Sequence, residues 1–391
     1  MSTHLAAISL KKGTRFVVQR RQTPKPGPGE LLIEVRAVSL NPADHLIRDH
    51  GLFIPAYPTV IGFDMSGLVL EVGEKVPGKH GHEGSGPFFQ PGITRVAAYA
   101  ASFWKSYAPD YGAFQERCLV PWQHAMPLPT ENISWNQAAT LPVAIQVPLE
   151  AWHAMGLQRA GEATVSSSGS ADSATSPDSS EKGPSNLMHE KEALLIWGAS
   201  SSVGTMGVQT ARWLREDRNS PVAAVYAAAG EANLGYVNSL GADRVFDHKD
   251  PQVVDAIVSA AKRDGLVIRH CFLATGQLAL CQAVLKAFVG SSRGKEGQKA
   301  KIGSAPIIPH DAEEQEGIET MFVAPSTDEI ERLSQFRYWM GTWLRENLAK
   351  GTVWPSPEPK VIGQGLDALN EGLNILRQGV SCTKLVIEVT R

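Results

Sequence analysis

The spacing of apolar and polar positions changes along this chain and divides it into regions of different texture. Up to about residue 126, short apolar runs are broken by Gly and Pro. Residues 31–38 alternate in their later part as a half-buried strand does, after the turn Pro24-Lys25-Pro26-Gly27-Pro28-Gly29. Residues 65–73 repeat the pattern. Many short strands with frequent turns predict a small barrel-like β domain. From residue 193 the spacing predicts strands at 193–197, 222–228, 244–246, 267–273 and near 305–309. Helices alternate with them, one running to about 215 and others over 231–240, 252–262 and 277–288. Repeated strand–helix units of this length make a parallel sheet with helices on both faces.

The joining segments differ again. Residues 148–157 read as a helix with Pro148 in its first turn. Residues 162–190 hold nine serines among 29 residues, too little apolar area to offset their ordering entropy. They are expected to form a mobile surface loop, with a regulated phosphorylation segment as the alternative. Near the end, 328–350 carries a long helical pattern with Thr327 as N-cap and Gly351 after it. A second helix covers 366–377 and a final strand 384–389. A lone strand needs a sheet to join, so this tail is expected to return to the N-terminal barrel. Residues 319–323 read as an edge strand, bare or paired, and leave a monomer and a homodimer both open.

Length and composition narrow the class. At 391 residues the chain suits two domains, and 43% hydrophobic with 20% charged residues is an ordinary globular balance. A formal charge of −3 argues against nucleic acid or an anionic membrane as a partner. No apolar run reaches the ~18 residues a membrane span needs, and the N-terminus lacks the pattern of a secretory signal. Four scattered cysteines, Cys118, Cys271, Cys281 and Cys382, fit reduced thiols rather than a disulfide framework, so a cytoplasmic location is expected.

The strongest local chemistry is a strand, then Gly198-Ala199-Ser200-Ser201-Ser202-Val203-Gly204, then a helix. Backbone N–H groups at a helix start, and the positive end of its dipole, stabilise a pyrophosphate. Small residues are needed because the backbone must approach the phosphates closely. Aligned on Gly204, the dinucleotide pattern Gly-x-Gly-x-x-Gly becomes Ala199-x-Ser201-x-x-Gly204. Alone, this reads either as a degenerate cofactor fingerprint or as an ordinary strand–helix turn.

Further landmarks decide it. They are Gly29-Glu30-Leu31-Leu32, Ser39-Leu40-Asn41-Pro42-Ala43-Asp44, Gly62-Phe63-Asp64-Met65-Ser66-Gly67 and Gly112-Ala113-Phe114-Gln115-Glu116. Ala138-Ala139-Thr140-Leu141-Pro142, Ser239-Leu240-Gly241-Ala242-Asp243 and Lys384-Leu385-Val386 follow in order. On these residues the whole chain resembles the medium-chain dehydrogenase/reductase superfamily, in its quinone-oxidoreductase and enoyl-reductase branch. The Ser-rich insert and long penultimate helix look most like fungal trans-acting enoyl reductases that partner polyketide synthases. The resemblance implies an α/β protein: a GroES-like β-barrel catalytic domain, split between both ends of the chain, and a Rossmann doubly wound parallel sheet. The expected division is 1–140 and 327–391 for the catalytic domain and 141–326 for the nucleotide domain.

The same resemblance frames cofactor and metal. NAD-preferring enzymes carry an acid at the end of the second strand, where this chain has Ala227-Ala228-Ala229-Gly230. NADP is therefore expected over NAD, although the Ser and Lys of NADP-using relatives correspond to Gly230 and Ala232, and Glu231 lies nearby. Val147, Gly230 and Thr275 complete the expected cofactor contacts around Gly198–Gly204. Where zinc-containing relatives carry Cys and Gly-His-Glu, this chain has Asn41-Pro42-Ala43-Asp44 and Gly62-Phe63-Asp64. Only Asp64 is a donor, the four-cysteine zinc lobe is missing, and His80-Gly81-His82-Glu83 reads as a solvated loop. Chemistry without zinc is expected.

Hydride transfer to an activated double bond or quinone needs an acceptor against the nicotinamide, a donor for the developing enolate, and exclusion of water. By resemblance Asn41, Asp44 and His45 face the cleft; His45 is either a proton donor or a packed histidine. Asp64 either orients neighbouring polar groups or holds a turn. Leu46 stands where some enoyl reductases have Lys or Tyr, and Val147 where many relatives have Thr, which leaves bulk water as a proton source. Tyr107 and Tyr111 lie before Gly112, at the cleft border or in the core. The expected activity is NADPH-dependent reduction of an enone or quinone, with a polyketide synthase acyl carrier as a partner. A simple alcohol dehydrogenase and an inert dinucleotide-binding scaffold are the alternatives.

Overall fold

The computed structural model describes residues 2–78, 88–157, 190–217, 220–290 and 299–389. The Ser-rich stretch apart from Glu190, the Gly/Ser/Lys loop at 291–298 and the His80–Glu83 motif lie outside them.

Strands β1 (Thr3–Ile8) and β2 (Val17–Gln22) form an antiparallel pair, tied to the barrel by a bridge between Ala6 and Gln115. The barrel strands are β3 (Glu30–Ser39), β4 (Asp64–Val72), β5 (Arg95–Tyr99), β6 (Arg117–Pro121) and β7 (Ala125–Pro127). Helix α1 (Pro42–His50) leaves the end of β3, and α2 (Trp135–Ala139) and α3 (Leu141–Met155) lead out of the barrel. The nucleotide-type sheet follows: β8 (Glu192–Trp197), α4 (Ser202–Glu216), β9 (Val222–Ala229), α5 (Leu234–Ser239), β10 (Arg244–Asp247) and α6 (Val253–Arg263). It continues with β11 (His270–Leu273), α7 (Leu278–Lys286), β12 (Ala300–Ser304) and β13 (Ile318–Phe322). The tail holds α8 (Glu329–Phe336), α9 (Arg345–Ala349), β14 (Pro359–Gln364), α10 (Leu369–Gln378) and β15 (Lys384–Glu388).

Six strands pair in parallel in the order β10-β9-β8-β11-β12-β13, the doubly wound arrangement that reverses direction between β8 and β11. All six residues of β8 are buried, as expected of a strand covered on both faces. The other sheet runs β14-β15-β3-β4-β5-β7, with β6 also on β3. Strand β15 pairs antiparallel with β3, so the tail does rejoin the N-terminal barrel.

Several sequence expectations shift. Helix α3 begins at Leu141, so Pro142 occupies its first turn and Pro148 lies inside it. Most of α3 is buried, and that packing offsets the backbone hydrogen bond a mid-helix proline removes. The strand expected near 305–309 is β12, five residues earlier; Pro306 and Pro309 cannot donate to a ladder. Strand β11 is shorter than 267–273, Val267 making only a bridge to Glu192. The cap of α8 is Asp328, which accepts the Glu331 N–H at 2.8 Å, rather than Thr327. The helix read as unbroken over 328–350 winds as a π-helix through Arg337–Leu344. Strand β13 is paired with β12 along one edge.

Candidate functional site

The carboxyl ends of β8, β9 and β11 carry the residues expected to meet a dinucleotide. Gly198 follows β8 with φ +77°, and a Cβ there would lie 2.5 Å from the Thr275 carbonyl oxygen. A Cβ at Gly204 would collide with the Gly198 carbonyl oxygen. Gly204, the surviving fingerprint glycine, and Gly198 before it therefore both sit where the backbone leaves no room for a side chain. Ser201, at a replaced glycine position, caps α4: its Oγ accepts the Gly204 N–H at 3.1 Å. Ala199 is fully buried, whereas Ser200, Ser202 and Val203 are half-buried at the helix start.

Thr275 is exposed just past β11, its N–H directed to the Trp197 carbonyl. Gly230 follows β9, and His248 lies beyond the adjacent β10, its Nε2 3.7 Å from where a Cβ on Gly230 would sit. Val147 is half-buried on α3, which packs against α4. The small, crowded backbone at Gly198–Gly204, opening on a helix N-terminus, fits a pyrophosphate. His248 was invisible to pattern reasoning, because only parallel pairing of β9 with β10 brings it beside Gly230.

The catalytic-domain residues gather around Asp64, which is fully buried at the start of β4. Its Oδ2 accepts from Ser39 Oγ at 2.9 Å and Asn41 Nδ2 at 3.0 Å, and meets Lys384 Nζ at 3.2 Å. Its Oδ1 accepts the Val143 N–H at 2.7 Å, in the first turn of α3. Lys384 Nζ also donates to Asn41 Oδ1 at 2.6 Å. One carboxylate thus ties together the end of β3, the cap of α1, the start of α3 and the first residue of β15. Lys384 had been visible only as a landmark of the final strand; its partner Asn41 lies 343 residues earlier.

Asp44 stands next to this cluster, fully buried in α1. Its Oδ2 accepts the Asn41 N–H at 2.7 Å, closing a capping box, while Oδ1 has no partner. Burial, reinforced by the Asp64 charge, pushes its carboxyl up to about 7 against the lowering effect of the Asn41 N–H. His45 is half-buried, and burial lowers its imidazole below the usual value. The charges that act on it are Asp49, Arg48, Arg377 and His50, on α1 and α10. Tyr107 is buried with an unpaired hydroxyl, and Tyr111 donates to Glu30 Oε1 at 2.8 Å. Among the described residues no three His, Cys, Asp or Glu side chains cluster to hold a metal.

A doubly wound nucleotide sheet joined to a barrel that both chain ends complete defines a two-domain oxidoreductase fold. Residues 27–130 match the family of alcohol dehydrogenase GroES-like domains. Over 387 residues the chain is 35% identical to the trans-enoyl reductase tndF of Aspergillus flavipes, covering 98% of each. With the trans-enoyl reductase tazE of Aspergillus terreus it shares 37% identity, over 84% of this chain and 94% of that one. Among solved structures, a putative zinc-dependent alcohol dehydrogenase from Rhizobium etli superposes with a TM-score of 0.72 at 19% identity, covering 100% and 99% of the two chains. The CurK enoyl reductase gives 0.67 at 16% identity, covering 99% of each. The chain belongs to the medium-chain dehydrogenase/reductase family, in its trans-enoyl reductase-like branch. It is an oxidoreductase of a family that uses a nicotinamide dinucleotide. Among the described residues, no helix is long and apolar enough to cross a membrane.

Proposed function

We propose that this chain reduces the activated C=C of an α,β-unsaturated acyl group, enone or quinone with NADPH and without zinc. The carrying observation is the Lys384 ammonium against Asp64. The single acid at the position where zinc relatives bind metal is already neutralised by a buried cation and uses its other oxygen on α3. A dinucleotide would be held by Gly198–Gly204 with Val147, Gly230 and Thr275 around it, and would supply the hydride. The chain's own residues bind the acceptor, exclude water and hold the Asp64 framework rigid. Asn41 and Asp44 line that framework, and Asp44, with one oxygen unpaired, is a proton reservoir within it. Bulk water serves where no side chain reaches the enolate. His248 beside Gly230 supports NADPH over NADH, as an imidazole can donate to the extra phosphate.

The proposal includes the division at 1–140, 141–326 and 327–391, and an acyl substrate presented by a polyketide synthase carrier to a monomeric or dimeric enzyme. The test is NADPH consumption by purified protein on enoyl thioesters, enones and quinones, with metal content measured alongside. Tight NADPH binding without turnover on any acceptor would mark an inert scaffold.

A further inference from the structure

Beyond its contact with Asp64, α3 turns a second polar edge inward. Gln146 is 1% exposed, and neither its amide nitrogen nor its oxygen makes a hydrogen bond. One turn on, Glu150 is buried with Oε2 unpaired. Helix α8 approaches this edge, since His153 Nε2 lies 3.8 Å from Glu331 Oε1 and Glu150 feels the Glu331 charge. The next residue, Arg332, is 4% exposed with Nε unpaired. Its other contacts are long, 3.4 Å to the Ser326 carbonyl and 3.9 Å to Glu329. Its guanidinium lies 4.9 Å from the Trp104 ring centre.

Trp104 Nε1 and Gln335 Oε1 are also buried and unpaired. His124, 5.2 Å from Trp104 and stacked on Phe336 at 4.1 Å, donates from Nδ1 to the Tyr99 carbonyl, which leaves Nε2 an unpaired acceptor. Buried polar groups nearly always find partners, so so many gathered on elements that meet call for a ligand. Two further features point the same way. The π-helix starts immediately after Phe336, and such windings concentrate at functional sites. Tyr99, whose ring meets Trp104 at 5.4 Å and Phe336 at 5.3 Å, pairs in register with Asp64, so an aromatic wall runs from the proposed catalytic cluster to this seam.

We propose that the seam between α3 and α8 binds the distal part of the acyl acceptor and selects chains that carry hydroxyl or keto oxygens over plain alkyl chains. A hydroxyl matches both kinds of vacancy. It accepts from Arg332 Nε, Trp104 Nε1 or Gln146 Nε2, and donates to Gln146 Oε1, Gln335 Oε1 or His124 Nε2. An alkyl chain would leave every one of these donors and acceptors unpaired, the situation in which polar sites discriminate most strongly. An anion is disfavoured by Glu150 and Glu331 on the same face.

The inference rests on the reductase reading, and the experiment separates the two. The full chain, saturated with NADP+, is titrated calorimetrically with two saturated acyl-pantetheine thioesters, one bearing a distal hydroxyl and one an isosteric methyl. The hydroxylated probe should bind about 10- to 100-fold more tightly. That advantage should shrink to less than about threefold in Gln146→Leu and Arg332→Met. Unaltered NADP+ affinity checks that each variant is folded, and Gln146→Leu alone carries the test where Arg332→Met fails to fold. Equal affinity for the two probes, no binding of either, or a preference unchanged in Gln146→Leu would overturn the proposal. A saturated thioester with NADP+ is the product side of the reduction, so no net hydride transfer accompanies the titration. Failure of enoyl reduction with this preference intact would therefore sink the reductase reading and leave the site standing.

Discussion

Helix α3 meets buried polar groups in two places, and the two are built differently. At its first turn both oxygens of Asp64 are used, by Val143, Ser39, Asn41 and Lys384. Along the face at Gln146 and Glu150, polar atoms are equally buried but unpaired. A satisfied cluster holds elements together, because breaking any one contact exposes the rest to an uncompensated interior. An unsatisfied one carries the desolvation cost of each buried donor and acceptor, a cost that a bound polar group would offset. Charge alone does not separate framework from site; the state of the partners does.

Lys384 carries the largest expected effect. Lys384→Met should destabilise the protein by about 3–5 kcal/mol in chemical denaturation, since it leaves the Asp64 carboxylate buried without a cation. Adding Asp64→Asn should recover a large part of that loss; no recovery would show that the ion pair is not the framework. Asp44 gives the next effect. Its folded pKa, about 7, lies above its unfolded value, so its contribution to stability is present at pH 4 and is lost as pH rises towards 7. Asp44→Asn should therefore gain stability relative to the parent between those limits and run parallel above them, as read from denaturation midpoints against pH. A flat difference would mean that the carboxyl stays ionised throughout.

At the nucleotide edge, Gly198→Ala should cost about 1–3 kcal/mol and weaken dinucleotide binding, because a positive φ is combined with contact to Thr275. The smallest effect is at His248, where His248→Ala should weaken NADPH by about 3- to 10-fold relative to NADH, the worth of one exposed phosphate hydrogen bond. Equal losses for both cofactors in fluorescence titrations would place His248 outside phosphate recognition.

The same contrast explains what could be read from the chain. The fingerprint was legible because Gly198, Ser201 and Gly204 act through neighbours in sequence: a turn, a cap and a close approach. The alternation of strands and helices across 193–288 was legible for the same reason, whereas β12 was misplaced onto the following apolar run, whose Pro306 and Pro309 cannot join a ladder. Asn41, Asp44 and Asp64 were singled out, but Lys384 was not, since a terminal strand becomes a neighbour of β3 only through the sheet. Gln146 and Arg332 carried no signal at all. A buried glutamine inside a largely apolar helix looks polar but anonymous until the helix opposite is known.

Metal-free reduction by NADPH is read out as NADPH oxidation with an enoyl thioester by protein exhaustively treated with a zinc chelator. Stoichiometric reduction of the C=C is expected, at a rate unchanged by the chelator and not raised by added zinc. A rate that vanishes with chelation and returns with zinc, or NADPH binding with no reduction of any acceptor, would contradict it.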